Sequence, residues 1–188
     1  MTMTQNAAHP FRTPAVLIVE DDPTFRAMLA AAVDAAGDMR LVGVAADLPE
    51  GLRLLDQQAP DVLLVDIGLP SGSGIDLIRY AKQRLPQCES MVVTVFADDQ
   101  WVVECIAAGA TGYLLKGSRD VDIVQQIRLL LEGGSPISPA IARRLLMQMN
   151  HRPDGAAPAL PTAMTLSEQE QRVLSLCAKG YNYKEIAP

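Results

Sequence analysis

Aromatic side chains are scarce in this sequence, at 4% of 188 residues, so a core must be filled by Ala, Val, Leu and Ile. That composition speaks against a β-sandwich and for an α/β or helical protein. Cysteine is also sparse. Cys88, Cys105 and Cys177 are odd in number, widely spaced and without a C-x-x-C pair, which excludes a disulfide framework and a thiolate metal site. They read as reduced thiols of a cytoplasmic protein. No apolar stretch approaches a membrane span, and Met1 to Thr13 lacks the apolar segment of a secretory signal, so no membrane partner is expected. Excess positive charge is missing too: the net charge is −6. Residues 1–136 hold ten basic against eighteen acidic side chains, a net of −8, while residues 137–188 hold six against four, a net of +2. An acidic front suits a cation-binding or regulatory domain, and the mildly basic tail offers little attraction to a polyanion.

What is present is a rhythm of short apolar runs and amphipathic stretches. The run Asp61-Val62-Leu63-Leu64-Val65-Asp66, bounded by Pro60 and by Gly68 and Pro70, reads as a strand buried on both faces, with Asp66 at its carboxyl end. Ala15 to Val19 reads as a first strand, ending on Glu20-Asp21-Asp22-Pro23, where Asp22 caps a helix that begins at Pro23. Along that helix Phe25, Met28, Leu29, Ala32 and Val33 recur at helical spacing, up to a stop at Gly37. The rhythm continues with a strand at 41–44, a helix at 48–58, a loop at 71–74 and a helix over about 75–85. A strand at 91–95, a helix at 101–108, a strand at 112–116 and a helix at 121–131 complete it. Five strands alternating with five helices predict a doubly wound α/β domain with a parallel sheet over residues 14–133.

After it, 134–163 holds a short amphipathic helix from Ser138 to Met149, with Ile141, Leu145 and Leu146 on one side, and a Pro/Ala-rich linker. Residues 164–188 carry two capping boxes, Ser167-Glu168-Gln169-Glu170 and Asn182-Tyr183-Lys184-Glu185, that predict a helix with Val173, Leu174 and Cys177 inward and the start of another.

In a parallel sheet, the carboxyl ends of all strands share one edge. That edge would gather Glu20 and Asp21 from the first strand, Asp66 from the third, Thr94 from the fourth and Lys116 from the fifth. Three close carboxylates repel one another unless a cation sits among them, and Mg²⁺ is the natural occupant because it accepts carboxylates and carbonyls while reaching phosphate oxygens. A carboxylate in such a place can attack phosphorus, provided the charge on the transferring group is stabilised. The metal, the Lys116 ammonium and the Thr94 hydroxyl would supply that stabilisation.

These residues, in this order and at these separations, resemble the receiver domains of two-component response regulators over residues 14–133. Tyr113-Leu114-Leu115-Lys116, Gly134-Ser135-Pro136-Ile137-Ser138-Pro139, Leu166-Ser167-Glu168 and Lys184-Glu185-Ile186-Ala187 resemble the LuxR/NarL class. The resemblance implies a flavodoxin-like sheet of order 2-1-3-4-5, followed by a partial all-α helix-turn-helix segment. It implies that Asp66 accepts a phosphoryl group from a phosphohistidine on a sensor histidine kinase. Asp66, Asp21 and the backbone carbonyl of Gly68 would ligate Mg²⁺ directly and Glu20 through water. Lys116 would contact the phosphoryl oxygens, Thr94 would close on them, and Tyr113 would swing inward as the switch aromatic. The protein would control transcription through DNA and would not be an enzyme, beyond promoting its own phosphorylation and dephosphorylation.

Two departures stand out: Gly117 replaces the proline that follows the lysine in many receivers, and Gly68 and Phe96 stand where polar side chains often orient water. An altered phosphoryl lifetime, in either direction, is therefore expected.

A phosphatase of the haloacid dehalogenase type also uses a strand-end Asp with Mg²⁺, but it needs a second Asp two residues on, where this chain has Gly68. A flavodoxin-like cofactor binder would need a loop suited to the FMN phosphate, and none is evident. A receiver acting only through phosphorylation-dependent protein contacts fits residues 14–133 equally well. Because Pro188 precedes the expected recognition helix, the chain as given is not expected to bind DNA specifically. Self-association into a homodimer remains an open option.

Overall fold

A computed structural model of the chain describes residues 12–117 and 122–150. The helix-turn-helix segment, Cys177, the Pro/Ala-rich linker and the predicted helix start at Val121 lie outside the described residues. Five strands, β1 (Ala15–Val19), β2 (Arg40–Ala45), β3 (Val62–Val65), β4 (Glu89–Thr94) and β5 (Gly112–Leu115), form one parallel sheet of order β2-β1-β3-β4-β5. Between and after them run α1 (Pro23–Ala36), α2 (Leu48–Gln58), α3 (Gly74–Arg84), α4 (Asp99–Ala108), α5 (Ile123–Leu131) and α6 (Pro139–Asn150). This is the doubly wound architecture that the strand-helix rhythm predicts, in the strand order that the resemblance implies.

Side chains alternate across the strands, and that alternation divides the core in two. Val16, Ile18, Val62, Leu64, Met91 and Val93 face α1 and α5, meeting Leu29, Val33, Ile127 and Leu130. Leu17, Val19, Leu63, Val65 and Val92 face the other way, onto Leu55, Ile75, Ile78, Val102 and Ile141 from α2, α3, α4 and α6. Burial on both faces explains why β1 and β3 read as unbroken apolar runs. Each fully buried Val or Leu contributes about 1.5–3 kcal/mol relative to exposure.

Local chemistry sets the ends of the helices. Asp22 accepts the Thr24 and Phe25 N–H groups at the start of α1, and Gly37 ends that helix in the left-handed region at φ 74°. Asp47 caps α2 and Asp122 caps α5. Three expectations need correction. Met28 is 51% exposed, because the inward ridge of α1 runs through Leu29 and Val33 and leaves Met28 on the flank. Val95 lies beyond the end of β4 and is 65% exposed. The 71–74 stretch is not all loop, since Ser73 caps α3 by accepting the Ile75 N–H and Gly74 is the first residue of that helix.

The segment after α5 docks back on the sheet. Tyr113 N–H donates to Pro136 O at 2.8 Å, Ser138 N–H donates to Tyr113 O at 3.0 Å, and Leu115 N–H donates to Ser138 Oγ at 2.9 Å. This short pairing carries α6 onto α4, where Ile141 and Ala142 are fully buried and Arg144 stands 3.7 Å from Asp99.

Cys88 and Cys105 are free and buried. Burial, reinforced by Glu89 and Asp61 around Cys88 and by Glu104 beside Cys105, pushes each thiol up to about 12 from an ordinary 9. The native thiols stay neutral where the unfolded ones ionise, so their effect is nil below about pH 9 and stability falls as pH rises from there toward about 12. At about pH 10 each costs on the order of 1 kcal/mol, so urea titrations at about pH 8 and about pH 10 are expected to differ by roughly 2–3 kcal/mol from these two groups. A Cys88→Ala/Cys105→Ala variant should lose that part of the difference; an unchanged pH dependence would show that both thiols ionise freely in the folded protein.

Candidate functional site

Register decides what meets at the carboxyl edge. Val19 pairs with Val65, and Val65 with Val92, so β1 and β3 end at the same level and Glu20 and Asp66 leave the sheet side by side. The ladder runs one step past the strands, with Asp66 N–H donating to Val19 O at 2.9 Å and Lys116 N–H to Thr94 O at 2.8 Å. Glu20 and Asp66 are buried at 1% and 5% exposure, whereas Asp21 faces solvent.

Each oxygen of Asp66 has its own partner. Oδ1 accepts the Thr94 hydroxyl at 2.7 Å and the Gly68 N–H at 3.1 Å, and Oδ2 accepts Lys116 Nζ at 2.6 Å. The same ammonium donates to Glu20 Oε1 at 2.7 Å, and that oxygen also accepts the Asp22 N–H at 3.1 Å. Thus Glu20, Asp66, Thr94 and Lys116, far apart in sequence, form one connected polar group. Asp21 joins them through proximity: one carboxylate oxygen from each of Glu20, Asp21 and Asp66 lies within 4.8 Å of the others.

The charge balance of this cluster is incomplete. Burial raises the Glu20 carboxyl above the usual range, and the Asp66 charge adds to that, against the opposing pull of Lys116. For Lys116 burial works against the charge, but the hydrogen bonds to Asp66 and Glu20 outweigh it and hold the ammonium above its ordinary value. The Lys116 ammonium thus bonds two of the three carboxylates, Glu20 and Asp66. Glu20 Oε2 is buried with no hydrogen-bond partner, a costly state for a carboxylate oxygen. An all-oxygen donor set with an orphaned buried oxygen fits a hard divalent cation such as Mg²⁺.

Residues 16–128 match the response regulator receiver domain family. Among curated proteins, the chain is 33% identical over 171 residues to the transcriptional regulatory protein LiaR of Bacillus subtilis, covering 91% of this chain and 79% of that one. It is 28% identical over 172 residues to the DNA-binding transcriptional activator DevR/DosR of Mycobacterium tuberculosis, covering 92% and 77%. Among solved structures, a LuxR-family two-component response regulator from Aurantimonas sp. superimposes with a TM-score of 0.69 at 27% identity, covering 74% of this chain and 100% of that one. The chain is a two-component response regulator of the LuxR/NarL type.

In this response regulator the side chain of Tyr113 already points inward. It is 1% exposed and its hydroxyl donates to Phe96 O at 2.9 Å, while burial pushes that hydroxyl up and keeps it a donor. Thr94, fully buried, is likewise already bonded to Asp66. The Phe96 ring lies against Gly68: a Cβ there would stand 2.8 Å from its Cε2. The departure at Gly117 is accommodated by a left-handed φ of 83°, with no atom of the described residues, its chain neighbours aside, within 4 Å of where a Cβ would stand.

Two contacts escaped the sequence reading. Arg26 Nη1 donates to the backbone carbonyls of Glu20 at 2.6 Å and Asp21 at 2.9 Å, fixing the peptide that presents both acids. Its place one turn inside α1, behind the acidic run, was the available signal. Phe25 lies under the Lys116 ammonium, with 4.8 Å from Nζ to the ring centroid. At the sequence level Phe25 is only one apolar position of the α1 stripe, so no local signal marks it.

Proposed function

We propose that this response regulator takes a phosphoryl group on Asp66 from the phosphohistidine of a sensor histidine kinase, and that the charge change controls a DNA-binding, transcription-regulating output. The observation that carries the reading is the environment of Asp66: a strand-end carboxylate, nearly buried, with Thr94, Lys116 and two further acids around it. In the transfer an Asp66 carboxylate oxygen forms the new P–O bond as the P–N bond to histidine breaks, and the electron pair of that bond stays on the imidazole nitrogen. Lys116 would move from the carboxylate to the phosphoryl oxygens and Thr94 would donate to another of them, while Tyr113 holds the 94–96 segment through Phe96 O. Asp21, Asp66 and the Gly68 carbonyl would hold Mg²⁺, with Glu20 acting through water; the ion would offset charge on the transferring group.

The DevR/DosR likeness supports a DNA partner for the complete output domain. A cytoplasmic setting and homodimerisation on activation belong to the same reading. Among the described residues no helix is long and apolar enough to cross a membrane.

Intact mass after incubation with acetyl phosphate and Mg²⁺ tests the central step. The wild type is expected to gain one phosphoryl group, and Asp66→Asn and an EDTA-treated sample to gain none. A folded wild type with no adduct would leave the receiver acting through protein contacts alone, and an adduct that survives Asp66→Asn would place the acceptor on another residue.

A further inference from the structure

Lys116 must do more than carry charge. Its partners change during the reaction proposed above, on which this inference rests. Asp66 would become an acyl phosphate and Glu20 would help hold a cation through water, so both carboxylates that now hold Nζ at 2.6 and 2.7 Å would alter their hold in the step that needs the ammonium in place. The third contact of Nζ is of another kind. The Phe25 ring lies 4.8 Å from Nζ, within the range at which a π face attracts an ammonium, and the Lys116 side chain is only 13% exposed, so water screens this attraction little.

Phe25 is itself firmly seated. Asp22 Oδ1 accepts its backbone N–H at 2.8 Å, and its side chain packs on the core layer shared by α1 and α5. We infer that Phe25 is a positioning residue for the phosphoryl-transfer site, its ring drawing the Lys116 ammonium toward the β1–β3 edge through a contact that involves neither carboxylate. The ring attracts the ammonium without neutralising it, so the full charge stays available to the phosphoryl oxygens. The same turn of α1 thus serves both halves of the site, with Arg26 fixing the acidic peptide and Phe25 fixing the base opposite it.

Ordinary core packing would also place a half-buried Phe on α1, and Phe25→Leu separates the two roles because it keeps an apolar side chain and removes the π face. Acetyl phosphate-driven uptake is expected to slow about fivefold in Phe25→Leu and to recover in Phe25→Tyr. In a Lys116→Met background Phe25→Leu should add no further loss, because the two residues act as one unit. An NMR arm is independent of phosphorylation: the Lys116 ε-methylene protons should be shifted by the ring current in the wild type and return toward the free-lysine position in Phe25→Leu. Equal losses in the Leu and Tyr variants, a persistent loss in the Lys116→Met background, or an unshifted Lys116 signal would each overturn the assignment. A wild type that takes up no phosphoryl group while its Lys116 signal does respond to Phe25→Leu would count against the acceptor reading and leave the positioning contact standing.

Discussion

Lys116→Ala is expected to slow phosphoryl uptake from acetyl phosphate by about 100-fold or more, the cost typical of removing a preorganised electrostatic partner of developing charge. Among the described residues Lys116 is the only side-chain cation bonded to Asp66, and Thr94 offers a neutral hydroxyl beside it. The loss reaches beyond the transferring group. Without the ammonium, Glu20 and Asp66 face each other with two buried or nearly buried negative charges, and Glu20 already has one oxygen without a partner. The Glu20 carboxyl, already raised by burial, should rise further without its ammonium partner, which leaves it a poorer ligand for a cation. Initial rates by intact mass at saturating Mg²⁺ measure the effect, with circular dichroism to confirm that the sheet persists. Uptake within about threefold of the wild type would mean that Lys116 is not a transfer residue.

Gly74→Ala is expected to be the most damaging small substitution in the α3 entry. A Cβ there would drive into the carbonyl oxygen of Asp66, and it would also lie 2.8 Å from Asp66 C and 2.8 Å from Val65 Cγ2. The obstacle is backbone at the end of β3, which is held by Asp66 N–H bonding to Val19 O and cannot swing aside as a side chain can. Overpacking of this kind costs about 3 kcal/mol. The melting temperature should therefore fall by about 10 °C, and the displaced peptide should take the Asp66 carboxylate away from Thr94 and Lys116. Gly68→Ala is the control. Its close contact would be with the edge of the Phe96 ring, a 37% exposed side chain that packs tilted against Trp101 rather than backbone, so its cost should stay below about 1 kcal/mol. Thermal unfolding of the two variants decides the matter, and a Gly74→Ala melt within about 2 °C of the wild type would refute the close-approach argument.

Both predictions turn on contacts between parts of the chain far apart in sequence, and this marks what was legible beforehand. The strand-helix order was readable because each signal is local: apolar runs at β1 and β3, the Asp22-Pro23 cap of α1, the Gly37 stop. The strand-end acids, Thr94 and Lys116 could be named from the same runs, since a parallel sheet must bring its carboxyl ends to one edge. Met28 departs from the prediction because helical spacing defines a stripe but not its width, and on α1 only Leu29 and Val33 of that stripe are buried.

By itself, then, the sequence determined the doubly wound order, the set of carboxylates and the single lysine that could serve them, because periodicity, capping and strand-end position depend on neighbouring residues alone. The tertiary structure decided which of these groups touch. Lys116 bridges Glu20 and Asp66 across 96 and 50 positions, Gly74 presses on the Asp66 carbonyl, and Phe25 lies beneath the ammonium. Such contacts arise from strand register and from how closely a helix packs on the sheet, and no local pattern encodes either distance.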